Sequence, residues 1–205
     1  RGFSHLHKGS SGGTGIYDRA GRFSVMPFIG SPPDSFFLNP VAKINKNSET
    51  ASPGFYSVRL EEQHIQAELT ASSHVGMHRY TFPRGKQASI FINEGNTRNA
   101  GVQCKVINNK TIEGIQRSYS GVYFTMKFNV PVLSSKTWDG TQLSETRKTG
   151  NHNNGGMVCH FGDLKGKPLE INVGLSLTSI DAARENLEKE CSEGEFNSIK
   201  QKALD

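Results

Sequence analysis

The chain is short of cysteine, of tryptophan and of long apolar runs. Its 205 residues hold three cysteines, Cys104, Cys159 and Cys191, far apart in sequence. None forms a C-x-x-C pair or shares metal-ligand spacing with a histidine, which argues against a structural zinc site. The odd count is satisfied either by one disulfide and one remaining thiol or by three buried thiols. No apolar run is long enough to span a bilayer, and the first residues carry no signal-peptide pattern. The net charge of +5 is spread along the chain. No Lys/Arg block interleaved with aromatics stands out, so nucleic acid is not an expected partner. There is no nucleophile elbow, no phosphate loop and no H-E-x-x-H. The carboxylate pair Glu61-Glu62 falls on a turn, and Glu185, Glu188 and Glu190 read as a solvated helix face.

Glycine is plentiful, at 22 residues, and it punctuates short alternating runs. The clearest is Ile65–Pro83. Ile65, Ala67 and Leu69 share one face, with Gln66, Glu68 and Thr70 on the other. Val75-Gly76 breaks the run, at a glycine free to take a positive φ. His78, Tyr80 and Phe82 then form an aromatic face opposite Met77, Arg79 and Thr81, and Pro83 ends the pairing. This is a hairpin in a β domain.

Further strands are expected at 23–30, 55–60, 87–93, 101–107, 111–118, 122–132, 157–161 and 169–177. The longest places Val122, Phe124, Met126, Phe128 and Val130 in the core. Residues 31–54 and 134–155 read as loops, the first anchored by Phe36-Phe37-Leu38. At Ser179 the period changes to helical: Ile180, Ala183, Leu187 and Cys191 recur, with Ser179 or Asp181 as cap. Phe196, Ile199 and Ala203 suggest a second short helix. The expected fold is all-β, an antiparallel β-sandwich over 1–178 with a short helical carboxy-terminal tail over 179–205.

Candidate binding residues lie in loops. Residues 1–21 are rich in Gly, Ser and His, either a solvated amino-terminal loop or a surface that faces a sugar through His5, His7, Thr14, Tyr17 and Asp18. Trp138, beside Asp139-Gly140, is either a packing anchor or a platform for the C–H face of a sugar. Asn151 and His152 lie in a cluster suited to hydroxyl groups or to a plain turn. Asn109-Lys110-Thr111 is a glycosylation acceptor sequence on a polar turn, which fits a secreted or extracellular glycoprotein.

The wording of the hairpin carries a resemblance. Ala67-Glu68-Leu69-Thr70-Ala71 and Gly76 through Pro83 resemble the amino-terminal β-sandwich domain of glycoside hydrolase family 92, departing from that pattern at Ser72 and His74. Gly2-Phe3-Ser4-His5, Ala51 through Val58, Ile112-Glu113-Gly114 and Lys165-Gly166-Lys167-Pro168 extend it in order along the chain. The resemblance implies a relative of calcium-dependent, inverting exo-α-mannosidases, which need a general acid and a separate general base. In the family those carboxylates and most calcium ligands sit in a carboxy-terminal domain. No catalytic residue and no cofactor is therefore carried onto this chain, with calcium expected only alongside a catalytic domain. The family also implies that residues 1–21 lie near the catalytic domain, that further strands precede this chain, and that 179–205 is the linker onward. The leading expectation is a non-catalytic, lectin-like protein that binds mannose-type or related glycans. The alternative is a fragment of an exo-α-mannosidase that scaffolds an active site in another domain. Glycans, a catalytic domain and further copies of the chain are the expected partners.

Overall fold

The computed structural model describes residues 2–5, 23–32, 41–93, 101–117, 121–139, 142–144, 155–191 and 196–204. The strands are β1 (Ser24–Ile29), β2 (Ile44–Ser52), β3 (Phe55–Leu60), β4 (Gln66–Ala71), β5 (Val75–Thr81), β6 (Gln87–Asn93) and β7 (Val102–Asn108). They continue with β8 (Thr111–Gln116), β9 (Val122–Phe128), β10 (Ser134–Asp139), β11 (Gln142–Ser144), β12 (Gly155–Asp163) and β13 (Leu169–Ser176). Helices α1 (Ile180–Glu190) and α2 (Phe196–Leu204) follow. One sheet has five strands in the order β1-β6-β12-β10-β11, and the other has eight, β2-β3-β4-β5-β13-β9-β8-β7. The strand pairs are antiparallel. The antiparallel sandwich and its helical tail are thus as the alternation implies.

The core lies between the sheets. Val25, Ile90, Ile92, Met157 and Phe161 of the smaller sheet meet Val58, Ala67, Tyr80, Phe124, Met126 and Ile171 of the larger. Val122, Phe124, Met126 and Phe128 are at most 2% exposed, as their spacing implies, and Val130 packs at the margin. Tyr80 and Phe82 of the aromatic face also point into this core.

Two segments expected as loops contain strands. β2 falls within 31–54, and β10 and β11 within 134–155. β2 reads INKNSETAS, without apolar alternation, because it is an edge strand largely open to water. Its register slips between Asn45 and Thr50, where Lys46 pairs with Glu49 at 2.7 Å. The other edges are also interrupted. β7 slips between Val106 and Asn108, β11 has three residues, and β1 contains Pro27 and exchanges backbone bonds with Phe3 at 2.9 Å. The Phe36-Phe37-Leu38 anchor lies outside the described residues.

The helices do not stand away from the sandwich. Ser179 caps α1 by accepting from the Ala182 amide at 3.0 Å. Leu187, Cys191, Phe196 and Ile199 then pack over Val75 and Met77 on the outer face of the larger sheet. Gly174 makes this approach possible: a Cβ there would collide with the Ala183 carbonyl and crowd Leu187. Arg79 fastens α2, with Nε on Glu170 at 2.8 Å, Nη1 on Asn197 at 2.9 Å and its guanidinium 4.0 Å from the Phe196 ring centre. The apolar face of the tail therefore has its partner within this chain.

Candidate functional site

A cleft of about 490 Å³ opens at one end of the larger sheet. Its walls are the β4–β5 turn, the end of β13 running into Leu177 and Thr178, the flank of α1 at Ala182 and Asn186, and the ring of His5. Family-like segments that are remote in sequence, around His5 and around the hairpin turn, meet here.

His5 reaches the cleft because Gly76 lets it. Gly76 lies inside β5 and is not among the described glycines with positive φ, so its role is not to turn the chain. A Cβ at Gly76 would overlap the His5 imidazole. The ring also sits edge-on to His78, with centres 4.5 Å apart. His78 Nδ1 lies 2.8 Å from the Tyr80 hydroxyl. Burial, with a smaller effect from His5, holds the His78 imidazole well below its ordinary value, so it is neutral. Burial likewise raises the Tyr80 phenol. His78 and Tyr80 are thus a fixed neutral floor beneath His5, behind the wall of the cleft.

Glu190 fixes the opposite lip. Its Oε2 accepts from Ser72 Oγ at 2.6 Å and from the His74 amide at 2.9 Å, and its Oε1 lies 2.5 Å from His74 Nδ1. Burial alone would raise this carboxyl, but the hydrogen bonds from Ser72 and His74 outweigh it and leave the group below its ordinary value. The reading of Glu190 as part of a solvated face is therefore corrected: it clamps the β4–β5 turn to the end of α1. Nearby, Ser176 and Thr178 hydroxyls lie 2.9 Å apart, and Asn186 Nδ2 donates to the Leu175 carbonyl at 2.8 Å. Exposed Leu177 adds an apolar wall. Short hydroxyl, imidazole and amide groups beside a small apolar surface suit a polyhydroxylated ligand.

The other sequence candidates fare differently. Trp138 is 2% exposed, stacks on Phe91 with centres 4.8 Å apart, and donates from Nε1 to the Ile92 carbonyl at 3.2 Å. It takes the packing role and offers no face to a sugar, because its cluster with Met26, Phe28 and Val158 buries it on the outer side of the smaller sheet. His5 and Trp138 therefore do not come together. Asp139 ends β10, opposite Gly155. His7, Thr14, Tyr17, Asp18, Asn151 and His152 lie outside the described residues. Asn109 is exposed on the β7–β8 turn. Ser89 and His160 form a Ser–His contact at 2.8 Å, but the serine hydroxyl donates to the Gly30 carbonyl, so no proton path toward a nucleophile is set up. Among the described residues, no three His, Cys, Asp or Glu side chains cluster as a metal site, so no calcium ligand is assigned here. No described helix is long and apolar enough to cross a membrane.

The two-sheet architecture, with a cleft at the end of the larger sheet, defines an antiparallel β-sandwich domain. Residues 1–176 match the glycosyl hydrolase family 92 N-terminal domain, and the chain belongs to that family. Among solved structures, the family GH92 inverting mannosidase from Bacteroides thetaiotaomicron superposes with a TM-score of 0.78 at 22% identity, over 88% of this chain and 25% of that one. A family GH92 α-mannosidase from the same organism gives 0.75 at 24% identity, over 90% of this chain and 28% of that one. At these identities the likeness concerns the fold, and the chain spans about a quarter of the length of these mannosidases. No curated protein matches the chain.

Proposed function

We propose that the chain serves as the sandwich domain of an exo-α-mannosidase, scaffolding an active site whose acid and base lie in another domain. The family match over residues 1–176 carries this reading. The meeting of His5 with the hairpin turn at one cleft supports it, since both segments bear the family resemblance. In this role the sandwich orients and shields. The His78–Tyr80 floor keeps His5 in place, and Glu190 holds the turn. Glycosidic cleavage with inversion would draw its general acid, its general base and any calcium from the partner domain.

The test is complementation. A separately expressed catalytic domain of a family GH92 mannosidase is assayed on an aryl α-mannoside, with and without this chain. A stable complex with increased, chelator-sensitive release supports the reading. No complex and no gain over a range of concentrations rejects it.

The polar cleft itself favours a second reading, a lectin-like protein of the secretory route that binds mannose-type glycans directly. A glycan array run with calcium and again with a chelator separates the two. Selective binding by the isolated chain supports the lectin reading, and its absence across the array removes it. Several copies on one particle would add avidity.

A further inference from the structure

Three cysteines allow three pairings, and the fold favours one. Cys104 is on β7, at one end of the larger sheet, and Cys159 is on β12, in the middle of the smaller. Alternation turns both inward. Val102 and Cys104 on β7, and Met157, Cys159 and Phe161 on β12, all belong to the cluster between the sheets. The two strands pack across that core, with Cα atoms of one within 8 Å of the other. Burial pushes the Cys159 thiol up, and the nearby Cys104 adds to the effect. Cys191 belongs to a different cluster, beneath α1 and α2, with the larger sheet between it and the other two.

We infer that Cys104 and Cys159 are the site of an inter-sheet disulfide, formed when the chain folds in the presence of a disulfide oxidant, while Cys191 keeps its thiol. Disulfides bridge Cα separations of roughly 4.4–6.8 Å. Both residues are buried free thiols in this structure, and β7 is hydrogen-bonded to a strand on one side only, which leaves that edge able to shift toward β12. The exposed acceptor Asn109 on the next turn fits the oxidising compartment in which such bonds persist. The chemistry balances with oxidised glutathione. One cysteine thiolate attacks the glutathione disulfide and expels a glutathione thiolate. The second cysteine thiolate then attacks the mixed disulfide, forming the Sγ–Sγ bond and expelling the other glutathione. The protein loses two hydrogens, and one oxidised glutathione becomes two reduced ones. Both thiols are buried and their ionisation is disfavoured by burial, so the exchange belongs to folding or to opening of the β7 edge.

The test folds the chain from denaturant with a glutathione redox couple, alkylates the remaining thiols without reduction, and maps the digest by mass spectrometry. The expected result is one linked peptide pair containing Cys104 and Cys159, with Cys191 alkylated and the intact mass lower by two hydrogens. Cys191→Ser should form the same link, and its Tm should rise by several degrees over the reduced form. Alkylation of all three cysteines, glutathione adducts without an internal link, or a link that includes Cys191 would each overturn the assignment.

Discussion

The two faces of the eight-stranded sheet are built on different principles. Its inner face is filled by aromatic and aliphatic side chains that interlock with the smaller sheet. Its outer face relies on a glycine, Gly174, on an Arg79–Glu170 pair and on the Glu190 clamp to hold two short helices down. A broad apolar core holds the first face, while a smaller apolar cluster together with these fitted contacts holds the second, so the two should respond differently to truncation, to added volume and to pH.

The largest effect is expected on the inner face. Phe124 is fully buried and stacks on Phe23 with centres 4.2 Å apart. Phe124→Ala should cost about 3–5 kcal/mol in urea unfolding. A loss below ~1 kcal/mol would show that the core does not hold the sandwich as described.

On the outer face, adding one methyl should do what removing a ring does inside. Gly174→Ala is expected to lift α1 and cost about 1–3 kcal/mol, with faster amide exchange in α1 than in the inner strands. Equal loss of protection on both faces would remove the contrast.

Acid should separate the faces further. The His78 imidazole is held well below its ordinary value of 6.5, so the unfolded chain binds a proton that the folded chain refuses. Stability should therefore fall as pH drops below 6.5, and His78→Gln should flatten that slope in pH-resolved denaturation. Glu190 works in a lower window. Its folded carboxyl lies below the ordinary 4.5, so its contribution is present above that value and is lost as pH falls through the folded one. Its hydrogen bonds are partly exposed, and Glu190→Gln should cost only about 1 kcal/mol at neutral pH. An unchanged acid limb in that variant would remove Glu190 from the clamp.

The inner face was also the legible one. Alternation from Val122 to Phe128 gives the core side directly, because burial on one face leaves a period of two in the sequence. β2 and β10 leave no such trace, since strands at or near a sheet edge bury little and read as polar loop. The His5 and hairpin segments were readable through their family wording. Leu175 to Thr178, Asn186 and the clamp at Glu190 were not, because a carboxylate on a helix looks solvated until the turn it accepts from is placed beside it. At Gly76 the break in alternation points to a turn, whereas in the fold its missing Cβ makes room for His5.

The interrupted edges bear on how the chain behaves in a crowded solution. A bulge at β2, another at β7, a three-residue β11 and a proline in β1 leave no described edge as a long, flat template. Intermolecular strand addition, the usual seed of fibrils, needs such a template. Self-association of the folded chain would then proceed through side-chain surfaces, and its dimers or larger particles should dissolve on dilution instead of growing.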